Sequence, residues 1–100
     1  IHFVLFDTDQ AIATARLLEN NSIGRVAVLK SYRSKGVGRL IMQQIIGHAR
    51  TEKRQFLKLS SQVHAIAFYE SFGFQGKGAD YLDCVIPHID MYLELIKSDN

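Results

Sequence analysis

Val26-Ala27-Val28-Leu29-Lys30-Ser31-Tyr32-Arg33-Ser34-Lys35-Gly36-Val37-Gly38-Arg39-Leu40-Ile41 is the stretch around which the rest of the chain is organised. It opens on an apolar β-rich run, crosses a basic segment with two glycines, and enters a pattern of helical period. Val37, Leu40, Ile41, Ile45 and Ala49 form an apolar stripe that Met42 and Ile46 widen, with Arg39, Gln43, Arg50 and Lys53 opposite. A strand, a turn and an amphipathic helix follow from that pattern. Gly36 and Gly38 let backbone approach a ligand closely, and the helix start presents unpaired N–H groups with the positive end of its dipole. Arg33, Lys35 and Arg39 add three positive charges within seven residues, a better match to a pyrophosphate than to a single carboxylate. A glycine-rich turn with solvated basic residues accounts for the same letters, so the loop alone leaves both readings open.

On the upstream side, His2 to Phe6 is a strand run stopped by Asp7, Thr8, Asp9 and Gln10. Ala11 to Leu18 follows, and Glu19, Asn20, Asn21 and Ser22 turn the chain into Ile23 to Leu29, which predicts an antiparallel meander. Downstream, Gln55 to Ser60 reads as a strand and Val63 to Phe72 as a second helix, with Gly73 placed to end it through a left-handed residue. Such a strand-helix-strand unit needs a right-handed crossover, so Ile23 to Leu29 and Phe56 to Ser60 are expected parallel in one sheet. Ala79 to Ile86 and His88 to Ile96 add a C-terminal hairpin with Pro87 at the junction, where a lost donor does least harm. The predicted class is α/β with a mixed sheet.

Composition narrows the function classes. One hundred residues suit a single domain over 1–100, and 47% hydrophobic with 22% charged residues is the make-up of a folded chain. A net charge of +2 is too small for a phosphate-coating protein. Cys84 is alone, which excludes an intramolecular disulfide and favours a reducing compartment, with the cytoplasm as the expected location. The longest apolar run, Ala65 to Tyr69, has five residues where a membrane span needs roughly 20. Ile1 is not a translational start, so an upstream segment is expected to be missing.

Two familiar phosphate loops do not fit. Ile41 stands where the third glycine of a Rossmann fingerprint belongs, and no Gly-Lys-Ser/Thr completes a P-loop. Val26 to Leu29 followed by Tyr32 to Gly38 instead resembles the acetyl-CoA signature of the GNAT acetyltransferases, Arg/Gln-x-x-Gly-x-Gly/Ala, carried here by Arg33, Gly36 and Gly38. Ala65 to Phe74 resembles that superfamily's second motif, with its Phe-Tyr-Glu-x-x-Gly-Phe ending. Ile86, Pro87, His88, Ile89, Asp90 and Met91, with Gln62 and His64, further resemble the ElaA-like branch. Complete members begin with an additional strand and a helical segment, which are expected to be absent from this chain.

The resemblance implies a GNAT-like acyl-CoA N-acyltransferase fold and acetyl-CoA as co-substrate, with an amine of a small molecule or peptide as acceptor and no metal. It assigns the pantetheine arm to backbone groups of Val26, Ala27 and Val28, freed as two parallel strands splay. The pyrophosphate falls to Arg33, Ser34, Lys35, Gly36, Val37, Gly38 and Arg39, and the rest of the cofactor arm to Gln62, where many relatives have Asn. Tyr69 takes the role of general acid for the departing thiolate. Cys84 and Val85 replace residues commonly Asp and Gly, and Ile23 to Leu29 contains no acid, so no general base is identified.

The alternatives are a buried Tyr69 serving only the core, and a non-catalytic acyl-CoA-binding or interaction domain, which the missing base favours. Nucleic-acid binding wants aromatics among the basic residues, and the loop offers only Tyr32; no membrane partner is expected either. Cys84 and His88 at i and i+4 of a strand stand about 13 Å apart at roughly 3.3 Å per residue, too far for one metal ion. His88 reads as a proton acceptor or substrate contact on one side and as a structural hydrogen-bonding residue on the other. Lys53, Arg54, Lys58, His2, His48 and His64 read as ordinary solvated side chains.

Overall fold

The computed structural model describes residues 1–83 and 86–96. It divides into two compact units, Ile1–Arg54 and Gln55–Asn100. In the first, β1 (His2–Asp7), β2 (Gln10–Leu17) and β3 (Ile23–Val28) form an antiparallel sheet in the order β1-β2-β3, followed by a 3-10 turn at Lys30–Tyr32 and helix α1 (Val37–Thr51). The predicted meander is therefore present. Thr8, at φ 55°, turns the two-residue link between β1 and β2. Asn20 accepts a bond from the Ser22 amide at 3.1 Å through its side chain, and Asn21 takes φ 72°, so the second turn uses asparagine both to bond nearby backbone and to tolerate the left-handed conformation.

Alternation along β2 puts Ala13, Ala15 and Leu17 on one face, where Ile41, Met42, Ile45 and Ala49 of α1 are buried with them. Leu40, expected in that stripe, is instead 54% exposed. At about 100° per residue it falls roughly 140° from the middle of the buried stripe, which Met42 pulls to the other side. The Arg54 guanidinium, expected in solvent, donates to the Leu18 carbonyl at 2.6 Å, to Asn21 Oδ1 at 3.1 Å and to Glu52 at 2.8 Å. It staples the β2–β3 turn to the end of α1. His48 is half-buried, its ring edge-on to Phe3 at 5.5 Å and its Nε2 3.3 Å from Glu52.

The second unit holds β4 (Phe56–Gln62), a 3-10 turn at Val63–Ala65, α2 (Ile66–Glu70), β5 (Gln75–Asp83) and β6 (Ile86–Glu94), with the sheet in the order β4-β6-β5. Both ladders are antiparallel. The core is Leu57, Leu59, Ser61, Phe74, Met91 and Leu93. The predicted ten-residue helix is shorter, because Val63–Ala65 winds as a 3-10 turn and Ser71 and Phe72 belong to the turn that follows α2. Gly73 does take the left-handed conformation, at φ 101°. β5 begins earlier than expected, and Pro87 lies inside β6 opposite Leu82 rather than at the junction. The register of β4 ends at His88, so β6 has a ladder neighbour on one side only at Pro87, and the missing donor is tolerated there. Cys84 and Val85 lie outside the described residues.

The backbone pairing expected between Ile23 to Leu29 and Phe56 to Ser60 in one sheet is not formed among the described residues. β3 pairs with β2 and β4 with β6, and each is an edge of its own ladder. No helix among the described residues is long and apolar enough to cross a membrane.

Candidate functional site

β3 is both an edge and a bulged strand. Thr14 pairs with Ala27 and Arg16 with Gly24, so two β3 residues, Arg25 and Val26, stand opposite Ala15. A bulge interrupts the ladder and re-aims backbone groups, here within the run expected to hold the pantetheine arm. Ala27 is exposed, and Val26 and Val28 are half-exposed. The Val28 carbonyl is already engaged, since Arg33 Nε donates to it at 3.2 Å. That expected contact therefore reduces to the remaining edge groups. A second bulge, at Ile12 in β2, leaves a carbonyl that accepts from the Leu29 amide at 2.8 Å and fixes where the loop departs.

The loop opens with the 3-10 turn, closed by Tyr32 N–H to Leu29 O at 2.8 Å. Arg33 is extended, Ser34 takes φ 65°, and Gly36 takes φ 81° as the N-cap residue of α1. An ideal Cβ at Gly36 would meet nothing within 4 Å, so this glycine is needed for its left-handed backbone rather than for room. No side chain caps α1, and its first turn carries no acid. Leu40 N–H bonds to Gly36 O at 3.1 Å, the first bond of the helix, so the amides of Val37 and Gly38 at its start have no intrahelical acceptor. Arg33, Ser34, Lys35, Gly36 and Arg39 are exposed around this end, Gly38 is half-buried, and Val37 is buried as the anchor. Orphan donors, dipole and basic side chains thus coincide, and a phosphate group fits that set.

Two contacts here were not foreseen. The Tyr32 hydroxyl donates to Asp7 Oδ2, and Lys35 Nζ lies 5.7 Å from the centre of the Tyr32 ring. The bond to Asp7 raises the Tyr32 pKa, first through hydrogen bonding and then through burial and charge. Nothing in the sequence joins residues 25 positions apart in this way; the only signal was an acid in a hairpin turn and a Tyr in a basic loop.

The second unit carries Gln62 and Tyr69. Gln62 ends β4, half-buried and opposite His88, at the N-cap of the 3-10 turn. Tyr69 is half-buried on α2, its ring edge-on to Phe68 at 5.1 Å and to Phe74 at 6.1 Å. Burial pushes its pKa above the usual 10, so at neutral pH the phenol holds its proton and is competent to donate it. No hydrogen bond to its hydroxyl forms among the described residues. An open depression lined by Gln55, Phe56, Glu94 and Ile96 includes none of the expected site residues. Among the described residues no three His, Cys, Asp or Glu side chains gather as metal ligands.

A bulged edge strand leads here through a basic loop into an uncapped helix, an arrangement whose chemistry fits a phosphate group. A family profile described as "Acetyltransferase (GNAT) domain" matches residues 1–95, and the chain belongs to that family. "Uncharacterized N-acetyltransferase YjcF" of Bacillus subtilis (strain 168) is 32% identical over 94 residues, which are 90% of this chain and 67% of that protein. Protein ElaA of Escherichia coli (strain K12) is 32% identical over 106 residues, 97% of this chain and 68% of ElaA. The crystal structure of Escherichia coli ElaA superposes with a TM-score of 0.84 over 93% of this chain and 67% of the other. An acyl-CoA N-acyltransferase from Pseudomonas aeruginosa, 31% identical, gives 0.83 over 92% of this chain and 66% of its own. The fold is that of the GNAT acyl-CoA N-acyltransferases, on the ElaA-like branch, and the chain spans about two thirds of the length of these relatives.

Proposed function

We propose that the chain is the acetyl-CoA-dependent N-acetyltransferase part of a protein that acetylates a primary amine on a small molecule or peptide, its two units serving as one domain over 1–100. The uncapped start of α1, entered through left-handed Gly36 and ringed by Arg33, Lys35 and Arg39, carries this reading. Bound acetyl-CoA would supply a thioester whose acetyl carbon an amine attacks directly, breaking the C–S bond. The amides of Val37 and Gly38 hold the pyrophosphate, Arg33, Lys35 and Arg39 add charge, and the open edge of β3 at Val26 and Ala27 pairs with amides of the arm. Gln62 supports the same arm from the end of β4. Tyr69 gives its proton to the departing sulfur as the C–S bond breaks; to a cysteine-like thiol of pKa about 8.5 the transfer is uphill, but the two groups match closely enough for general-acid assistance. The attacking amine loses its proton to water, since β3 offers no carboxylate. The location is the cytoplasm, where a lone cysteine stays reduced.

The acid-free β3 favours a second reading, a domain that binds acyl-CoA without turning it over. Thiol release from acetyl-CoA, measured with the full-length protein across a panel of amines, separates the two. Acetyl transfer to at least one amine above the hydrolysis background supports the enzyme; binding without release supports the second reading.

A further inference from the structure

We propose that Asp7 is a positioning residue for the anion cradle: through its hydrogen bond with Tyr32 it ties the basic loop to the β1–β2 hairpin and holds the amides at the start of α1 in binding geometry. The inference rests on the acetyl-CoA reading above. Asp7 ends β1, paired with Gln10 across the two-residue link of Thr8 and Asp9, so its carboxylate is carried on the closed end of a hairpin. Tyr32 ends the 3-10 turn and reaches it with its hydroxyl. The tyrosine ring lies under Lys35, and Arg33 reaches back to the Val28 carbonyl, so the loop is fastened at its root, at its middle and at Gly36.

Electrostatics alone argues against an acid here. A carboxylate beside an anion site repels the anion, so its place in this loop makes sense only if the order it imposes outweighs the charge it brings. The two effects have opposite signs in one measurement.

That measurement is calorimetric titration of coenzyme A into the intact protein, at low and moderate salt. Asp7→Ala and Tyr32→Phe should each weaken binding about 3- to 10-fold, the span of one net hydrogen bond, and the double variant should be no weaker than either alone. In turnover, KM for acetyl-CoA should rise while kcat holds. Asp7→Asn keeps an acceptor oxygen and sheds the charge, so it should recover the affinity that Asp7→Ala loses. Tighter binding in Asp7→Ala, or losses that add in the double variant, would overturn the inference. Trypsin gives a ligand-free arm: cleavage after Arg33 and Lys35 should accelerate in Asp7→Ala and Tyr32→Phe, and unchanged cleavage would also overturn it. If the unaltered protein takes up no coenzyme A, the acetyl-CoA reading fails, and the trypsin arm still judges the tether.

Discussion

Tyr69 is the residue at which chemistry and packing make opposite forecasts. Tyr69→Phe keeps the ring against Phe68 and Phe74 and removes only the proton. As a general acid it is worth on the order of 10² to 10⁴ in rate, so kcat should fall by that much with coenzyme A affinity unmoved. As a core residue it would lose about 1 kcal/mol at most, with turnover intact. Steady-state kinetics beside a thermal melt decides between them, once chemistry is shown to limit the rate. Its pKa, raised by burial, gives a second forecast. Above pH 10 an unfolded tyrosine ionises before the folded one does, so stability is complete below pH 10 and falls as pH climbs through the folded value. Melts across that range should show a shallower decline in Tyr69→Phe than in the unaltered protein. Arg54 is a residue whose role the sequence hid: letters alone cannot show that a guanidinium near a helix end meets a turn 33 to 36 residues earlier. Arg54→Ala should lower stability by about 1 to 2 kcal/mol, read from a denaturant midpoint, because a half-buried charged donor serves several acceptors at once.

At the level of elements, the start of α1 should respond differently to its two glycines. Gly36→Ala forces a Cβ into a left-handed backbone and should destabilise by about 1 to 2 kcal/mol, with weaker coenzyme A binding. Gly38→Val, inside the first turn, should weaken binding with the fold largely kept, because it crowds the amides rather than straining them. Arg33→Ala and Lys35→Ala should lose less, and the loss should shrink with salt, since exposed charges are screened over about 10 Å at 0.1 M. Titration calorimetry at two ionic strengths distinguishes the three kinds of change. The strand-loop-helix element was legible because its signals are local: a period of two, then glycines and charge, then a period near 3.6. The bulge at Arg25 and Val26 was not, because only the partner strand's register reveals an extra residue. The second helix was overcounted for a related reason. Val63 to Phe72 is apolar at helical spacing, yet its first turn winds tighter and its last is a turn leading to Gly73, differences of hydrogen bonding that side-chain pattern does not encode.

For the whole molecule, ligand linkage gives the broadest check. Coenzyme A at a hundredfold over its dissociation constant stabilises by about 2.7 kcal/mol, several degrees in a melt for a chain of this size. Pantetheine, which lacks the pyrophosphate, should give much less if the α1 start is the principal anchor; equal shifts would move the weight of binding elsewhere. Family membership was readable from two motifs, and so were the β1-β2-β3 meander and the C-terminal hairpin, but the pairing of β4 was not. The partner of β4 is not its neighbour in sequence but β6, which begins at Ile86. That strand order carries a consequence for synthesis. β1, β2 and β3 pair in the order they are made, so the first sheet can zip as it leaves the ribosome. β4 emerges with Leu57 and Leu59 exposed and must wait through β5 for β6 to separate and join them both. A nascent chain stalled before residue 86 therefore carries two strands with no sheet, which makes that interval the one in which chaperone capture or aggregation should concentrate.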